Sequence, residues 1–363
     1  MNKCIICNYN ENIIVKSTFN FVSSDIKKVN YHSDFFICKN CGCVQKNINK
    51  TYIKNTHNIY KNYIGFSKYN EIDQKKRFKG VNSSRCNLLI KKFLNKKKYK
   101  DILDYGSSNG AMLMPFINSN KKLYSTDLKN NLDNKILKAK NFKNFYNINN
   151  FTKSKKKYDL ITMIHVLEHL QKPKEVLSNM VKKLKKSGVL FIQIPNFILN
   201  PYDLSVYDHT IHFDKPSLVK LAEESNLEII KIDERFMNGE FSILLKKRIK
   251  KNTYKITNLS IIKKINIFKQ FKKNISQINK MKNLSILGTS ISSLCIKHNY
   301  NGEIISFYDE DLSKIGKNYE GKKIKQMIKD ERKNLFLPFY DKKLYSIKNR
   351  LKKNYNYKLI CWD

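Results

Sequence analysis

The feature that most constrains the fold is a loop with two glycines between a predicted strand and a predicted helix, the apolar stretch at residues 111–117. A buried strand is predicted at residues 99–103, and the loop that follows contains Asp104, Gly106 and Gly110. The next predicted strand ends at Asp127. Glycine lets the backbone turn sharply and approach a ligand without a Cβ atom in the way. In parallel sheets such loops lie at the carboxyl ends of the strands, where nucleotides bind.

The same loop favours a nucleoside cofactor that carries no phosphate group. Its glycines do not follow the G-x-G-x-x-G spacing that approaches the pyrophosphate of NAD or FAD. The carboxylate of Asp127 can accept hydrogen bonds from both hydroxyls of a ribose. S-adenosylmethionine has a ribose and no phosphate, so we predict that this loop and Asp127 form part of a site for it.

Strands and helices are predicted to alternate after the loop. Further strands are expected at residues 158–164 and 189–194, with a helix at residues 173–186 between them. This alternation predicts an α/β fold built on a doubly wound parallel sheet. A second, smaller α/β unit is predicted to begin at residues 284–290.

Two cysteine pairs near the N-terminus predict a structural zinc site. They are Cys4 with Cys7, and Cys38 with Cys41, each with two residues between the thiols. Two such pairs present four thiolates to one ion in a tetrahedron. Because no coordination position is left for water, we expect the zinc to stabilise the fold without taking part in chemistry. Cys43 is not needed as a ligand.

The strong positive charge favours anionic partners. The formal net charge is +41, from 71 basic and 30 acidic residues. Only six of the basic residues are arginine, the residue that best contacts phosphate and guanine, and the lysines are spread over most of the chain. We therefore attribute the charge to composition and favour a small-molecule substrate, with nucleic acid kept as an alternative. The densely basic stretch at residues 246–282 is expected to be a helical linker with a solvated face and not a phosphate-binding patch.

The chain shows none of the sequence features of a membrane or secreted protein. No apolar run approaches the roughly 20 residues of a membrane span, and the first residues do not resemble a signal peptide. The cysteines cluster instead of spacing out as a disulfide framework. We expect a reduced, cytoplasmic protein.

Several segments together resemble the class I S-adenosylmethionine-dependent methyltransferases. They are the loop at residues 104–110 with Asp127, and the segments 158–161, 165–170 and 188–196. The cysteine pairs resemble the zinc-binding N-terminus of the nucleotide-sugar C-methyltransferases. Residues 284–290 with Asp309 resemble that family's C-terminal Rossmann-like domain, which does not hold the cofactor.

The resemblance implies a Rossmann-like methyltransferase domain between an N-terminal zinc-binding module and a smaller C-terminal α/β domain. The expected units are a zinc-binding module (residues 1–50), a helical connector (51–98), the methyltransferase domain (99–245), a basic linker (246–282) and the C-terminal domain (283–363). Asp104, Gly106, Gly110 and Asp127 would contact S-adenosylmethionine, and His165 would form part of the cofactor wall.

For catalysis the resemblance points to a histidine base. His209 matches the family's proposed general base, and Asp208 stands where the family has a glutamate. His169 matches a histidine that lies near the substrate, and Tyr63 is expected to line the substrate site. The alternative is that His209 only satisfies hydrogen bonds within its loop.

These features predict methyl transfer to carbon or oxygen of a small acceptor, with a nucleotide-linked sugar favoured and a histidine as the base. Two alternatives stay open. One is an RNA methyltransferase with a zinc module, and the other is a catalytically degenerate binding subunit with the same fold.

Overall fold

The computed structural model describes residues 3–61, 63, 84–94, 98–248, 258–329 and 333–362. These residues form sheets of seven, six, four and two strands. Within the same ranges, no helix is both long enough and apolar enough to span a bilayer.

Short antiparallel strands make up the N-terminal unit, and two helices follow it. The strands are β1 (Asn12–Val15), β2 (Phe21–Val22), β3 (Lys28–Val29), β4 (Phe35–Cys38) and β5 (Val44–Lys46), and the helices are α1 (Lys50–Lys61) and α2 (Ser84–Phe93). Helix α2 buries Leu89, Ile90 and Phe93 in the same core as central-sheet residues such as Ile102. It therefore covers one face of the central sheet.

The central sheet occupies residues 101–247. Its region contains the strands β6 (Asp101–Tyr105), β7 (Lys122–Asp127), β8 (Phe142–Asn147), β9 (Tyr158–Ile164), β10 (Leu184–Pro195), β11 (Ile211–His212), β12 (Leu227–Asp233) and β13 (Glu240–Lys247), and the helices α3 (Asn134–Leu137), α4 (Pro173–Lys183) and α5 (Lys215–Glu224). The strand order is β12-β13-β10-β9-β6-β7-β8. Strand β11 lies outside this sheet and pairs with β5.

Alternate side chains of the central strands pack into two different cores. Leu103 and Ile161 face the core that contains Leu177 of α4, whereas the neighbouring Ile102 and Leu160 face the core that contains α2. This alternation is what a strand with both faces buried requires. The predicted doubly wound α/β fold is thus confirmed, and β6, β7 and β9 each have parallel neighbours on both sides.

Two local expectations around the sheet were wrong. The apolar stretch after the glycine loop was expected to be helical, but its only regular element is a 3-10 turn at Met114–Phe116. Pro115 explains this, since proline has no N–H to donate and disfavours helical conformation in the residue before it. The helix predicted at residues 173–186 ends at Lys183. The next strand begins there and bulges at Gly188, where a Cβ atom would lie 2.7 Å from the carbonyl oxygen of Tyr158.

A long helix follows the central sheet. Helix α6 (Asn258–Ile278) lies in the stretch that was expected to present a solvated basic face. One side of it is buried, through Phe268, Phe271 and Ile278. Its Lys264 is 1% exposed, forms a 2.8 Å ion pair with Asp214 and donates to the carbonyl oxygen of Gly42. The helix is therefore solvated on one side only.

The C-terminal unit is a second, mostly parallel sheet. Its strands are β14 (Leu284–Leu287), β15 (Ile304–Tyr308), β16 (Asn318–Tyr319), β17 (Lys322–Lys325), β18 (Asn334–Phe336) and β19 (Lys358–Ile360), with the helices α7 (Ile291–Asn299) and α8 (Asp341–Asn354). Only β16 runs antiparallel to its neighbour. Asn299 of α7 exchanges hydrogen bonds with the backbone of Asn20, so this unit contacts the N-terminal one.

Candidate functional site

The glycine loop lies at the carboxyl end of β6. Gly106 and Gly110 have φ values of 74° and 78°, in the region that disfavours other residues. A Cβ atom at Gly106 would overlap a methyl group of Val166, and one at Gly110 would overlap Ile136. The amide of Gly106 donates to the carbonyl oxygen of Thr126 at 2.8 Å. The loop is thus held against the end of β7 in a shape that requires both glycines.

A buried carboxylate, Asp104, and a half-buried one, Asp127, flank this loop. Asp127 accepts hydrogen bonds from the amides of Ser108 and Leu128 at 2.7 and 2.6 Å. Asp104 accepts one from the hydroxyl of Thr162 at 2.6 Å. Burial raises the pKa of Asp104 to about 7, and burial also raises the pKa of Asp127. Both acids therefore lie where a polar ligand can recover the free energy that their burial costs.

Two buried hydroxyl groups at the loop suit a polar ligand such as S-adenosylmethionine. Ser107 and Thr126 carry buried hydroxyl oxygens without a hydrogen-bond partner among the described residues. Buried polar atoms without partners are costly, so groups of this kind mark places where a ligand can bind. The loop also lacks the G-x-G-x-x-G spacing that approaches the pyrophosphate of a dinucleotide.

His165 occupies a charged junction just after β9. It has a φ value of 51°, which is unusual for a residue with a side chain. Its Nδ1 lies 3.1 Å from Glu168, and its Nε2 lies 2.8 Å from Arg85, which also pairs with Glu240. Although burial opposes its charge, the carboxylate of Glu240 raises the pKa of His165 to about 9. The expected cofactor-wall residue is thus fixed by charged partners.

His169 and His209 form a pair near this junction. Their ring centroids lie 4.7 Å apart in an edge-to-face arrangement. His169 Nδ1 donates to the carbonyl oxygen of Asp208 at 2.9 Å, and His209 Nδ1 donates to Asp203 at 2.6 Å. Glu168 also belongs to this group, because one of its carboxylate oxygens lies within 4.8 Å of a ring nitrogen of each histidine. The histidines that sequence comparison singled out are therefore brought together.

Asp203 is a buried residue of this site that the sequence analysis missed. One of its oxygens accepts from His209, and the other accepts from Nδ1 of His212 at 2.5 Å. Although burial opposes its ionisation, the two histidines lower the pKa of Asp203 below its usual range. Although burial opposes charge on His209 as well, Asp203 raises the pKa of that imidazole. The spacing of an aspartate six and nine residues before two histidines was the available signal.

Asp208 faces the N-terminal unit. Its carboxylate accepts from the amide of Ser24 at 2.8 Å and lies 2.5 Å from the hydroxyl of the same residue. Tyr63 lies 3.2 Å from that hydroxyl, and Tyr60 lies 3.5 Å from the Asp208 carboxylate. Asp208 is fully buried, so its position suits a group that orders the loop around His209.

The four predicted zinc ligands converge. The thiols of Cys4, Cys7, Cys38 and Cys41 all lie within 4.8 Å of one another. The Cys4 and Cys41 sulfurs are 3.4 Å apart, and those of Cys7 and Cys38 are 3.6 Å apart. Tetrahedral zinc with bonds of about 2.3 Å requires sulfurs roughly 3.8 Å apart. The four thiols could therefore hold one ion, and Cys43 is not in the group.

One region of the chain is similar to known methyltransferases. Residues 76–232 match a family described as a methyltransferase domain. Ubiquinone biosynthesis O-methyltransferases from two strains of Rickettsia bellii are 26% identical over 174 residues, which cover 41% of this chain and 71% of each relative. The matched region contains the glycine loop, Asp127 and the histidines at positions 165, 169 and 209.

Solved structures similar to the chain include two methyltransferases. An S-adenosylmethionine-dependent methyltransferase from Clostridium acetobutylicum is 15% identical with a TM-score of 0.41, and the match covers 51% of this chain and 99% of that one. An S-adenosylmethionine-dependent methyltransferase from Archaeoglobus fulgidus is 19% identical with a TM-score of 0.37, and the match covers 48% and 99% of the two chains.

Proposed function

This chain is an S-adenosylmethionine-dependent methyltransferase with its methyltransferase domain at residues 76–232, and we propose that it methylates a nucleotide-linked sugar. The observation that carries the proposal is the pairing of His169 and His209 just beyond the end of β9. Strand β9 is the neighbour of β6, which leads into the glycine loop. A base and a cofactor site at the same edge of the sheet are what an acceptor with a weakly acidic proton needs.

The residues around the proposed cofactor site have distinct roles. The loop with Gly106 and Gly110 would hold S-adenosylmethionine, with Asp104, Asp127 and His165 beside it. The cofactor would supply a methyl group bonded to a positively charged sulfur. Once an acceptor is aligned, the methyl group passes to it readily, and the sulfur leaves as the neutral thioether of S-adenosylhomocysteine. The chain therefore has to position the acceptor and remove its proton.

His209 is the proposed base. Its Nδ1 donates to Asp203, so the lone pair of the neutral ring is on Nε2. That nitrogen can take a proton from a hydroxyl group or from a carbon next to a ketone, and the acceptor then attacks the methyl carbon. The carboxylate of Asp203 stabilises the resulting imidazolium. Asp208 orders the loop, and His169 faces the substrate beside the base.

The sugar part of the proposal rests on the parts of the chain outside the matched domain. The chain has a four-thiol cluster before this domain and a second α/β sheet after it. By the sequence resemblance to the nucleotide-sugar enzymes, these would correspond to their zinc module and C-terminal domain. We propose that the cluster holds one structural zinc ion. A net charge of +41 also suits an acceptor with a diphosphate group.

The function is tested with labelled S-adenosylmethionine and a panel of acceptors. We expect methyl transfer to a nucleotide-linked hydroxy- or keto-sugar and none to a catechol-type phenol. His209→Ala should retain S-adenosylhomocysteine binding and lose about 100-fold or more in kcat, because a positioned base contributes 10²–10⁴-fold. The exposed His57 of α1 offers the matched control, His57→Ala, which should keep full turnover.

Two results would contradict the proposal. Transfer to the phenol alone would exclude the sugar acceptor and favour an oxygen acceptor of the kind that the names of the Rickettsia relatives suggest. Turnover of His209→Ala close to that of the wild type would remove His209 from the mechanism.

A further inference from the structure

Three side chains at the carboxyl ends of the central strands bring possible metal-ligand atoms close together. Glu168 and His169 belong to a 3-10 turn at Leu167–His169, and His209 comes from the loop before β11. One ligating atom of each lies within 4.8 Å of the other two. The three side chains are 1%, 15% and 8% exposed, so the point they face is largely shielded from water.

The ring nitrogens of the two histidines are arranged as in metal ligands. Nδ1 of His169 donates to the carbonyl oxygen of Asp208, and Nδ1 of His209 donates to Asp203. Each neutral ring then carries its lone pair on Nε2. A histidine that binds a metal usually donates its other ring N–H to a carboxylate or a backbone carbonyl, which fixes the tautomer and the orientation of the ring. Both kinds of partner are present here.

Glu168 supplies an independent indication of a ligand. Its Oε1 lies 3.1 Å from Nδ1 of His165. Its Oε2 is buried and has no hydrogen-bond partner within the described part of the chain. A buried carboxylate oxygen without a partner costs free energy, and a cation bound by Glu168 would recover that cost.

We propose that Glu168, His169 and His209 form a second metal-binding site, which takes a divalent transition ion that competes with the substrate proton for His209. Two imidazoles and one carboxylate suit ions such as Zn²⁺ and Co²⁺ better than Mg²⁺ or Ca²⁺. Bonds of about 2.0–2.2 Å require side-chain movements on the order of 1 Å from the present positions. The site is separate from the four thiols, and an ion in it inhibits methyl transfer.

Binding is tested by giving the protein only one equivalent of Zn²⁺, which the four thiols take up, and then dialysing this zinc-loaded protein against Co²⁺. We expect about one Co²⁺ per chain with the weak absorption of nitrogen and oxygen ligands and without the charge-transfer bands of thiolates. Glu168→Gln and His169→Gln should each weaken this binding by about 100-fold, and Asp203→Asn by about 10–100-fold, because asparagine has no negative charge and only one acceptor oxygen for the two histidines. His57→Gln, on the exposed side of α1, should leave it unchanged.

Calorimetry with S-adenosylhomocysteine shows which variants are folded. The proposal stands if Co²⁺ binding falls in variants that bind S-adenosylhomocysteine as tightly as the wild type does. It is overturned if the zinc-loaded wild type binds no further Co²⁺, or if folded Glu168→Gln binds it as tightly as the wild type does. Neither result depends on turnover, so the failure of this site is distinguishable from the failure of the proposed function.

The competition itself rests on the proposed role of His209. We expect Co²⁺ to inhibit methyl transfer by the wild type at the concentration that fills the second site, and dialysis to restore it. Glu168→Gln should need about 100-fold more Co²⁺ for the same fractional inhibition, in line with its weaker binding. A filled second site with unchanged turnover would refute the competition.

Discussion

At the level of single residues, the cofactor loop depends on two positions where only glycine fits. Gly106→Ala would force a methyl group onto Val166 and a positive φ onto alanine. We expect this variant to lose S-adenosylhomocysteine binding, because relieving the overlap moves the loop. Calorimetry measures the loss, and circular dichroism shows whether the fold persists.

Gly316 is the matched control for that substitution. It also has a positive φ value, of 80°, but a Cβ atom there would meet nothing within 4 Å. Gly316→Ala should therefore lower the free energy of unfolding by about 1–2 kcal/mol, the cost of a positive φ for alanine, and leave the cofactor affinity intact. Equal losses of affinity in the two variants would show that overlap with Val166 is not the cause.

Asp104 makes stability depend on pH in the direction opposite to most carboxylates. Its pKa is raised to about 7 in the folded protein by burial, whereas an unfolded aspartate titrates near its ordinary, lower value. The folded state therefore binds the proton more tightly, and stability falls as pH rises between the two values. We expect Asp104→Asn to be more stable than the wild type, by up to about 4 kcal/mol at about pH 8.

Urea unfolding of the two proteins without cofactor measures this effect. The stability difference should be about 2–3 kcal/mol smaller at about pH 5 than at about pH 8. Asparagine can still accept the hydrogen bond from Thr162, so the substitution removes charge and little else. A difference that does not change with pH would assign the effect to packing instead of ionisation.

Single residues were predictable where local spacing carries the chemistry. The cysteine pairs, the glycines and Asp127 each belong to a short pattern with a physical reason. Asp203 was not predictable in the same way, since its role depends on two histidines reached through the folded loop. The contact between Asp208 and Ser24 joins residues 184 positions apart, and no local pattern reports it.

At the level of elements, helix α6 is held by a buried charge. Lys264 contacts both Asp214, which caps helix α5, and the carbonyl oxygen of Gly42 beside the zinc ligands. Lys264→Met would leave Asp214 buried without its cation. We expect a loss of about 3–5 kcal/mol in the free energy of unfolding, measured by urea titration.

Lys263, the next residue along the helix, provides the comparison. It is exposed, so Lys263→Met should change the free energy of unfolding by less than about 0.5 kcal/mol. Similar effects at both positions would mean that Lys264 acts only through its apolar stem. Composition favoured a solvated helix here, because the sequence shows many lysines but not which one points inward.

At the level of the whole molecule, the proposed zinc site should support the site of catalysis. After loading with one equivalent of Zn²⁺, Cys41→Ser should lack the thiol-bound ion and show a lower melting temperature and turnover, since strand β5 of the N-terminal unit pairs with β11 next to His209. Metal analysis with thermal unfolding tests this. The nearby Cys43→Ala should keep about one zinc per chain, and equal zinc content in the two variants would contradict the assignment.

The pairing of β5 with β11 also has a consequence for synthesis of the chain. Val44 pairs with His212, so strand β5 leaves the ribosome well over a hundred residues before its partner exists. During that interval one edge of the N-terminal sheet is open to other chains, and exposed edges of this kind favour aggregation. Early zinc capture would hold the nascent strands in place, so cells short of zinc should accumulate insoluble protein made during translation.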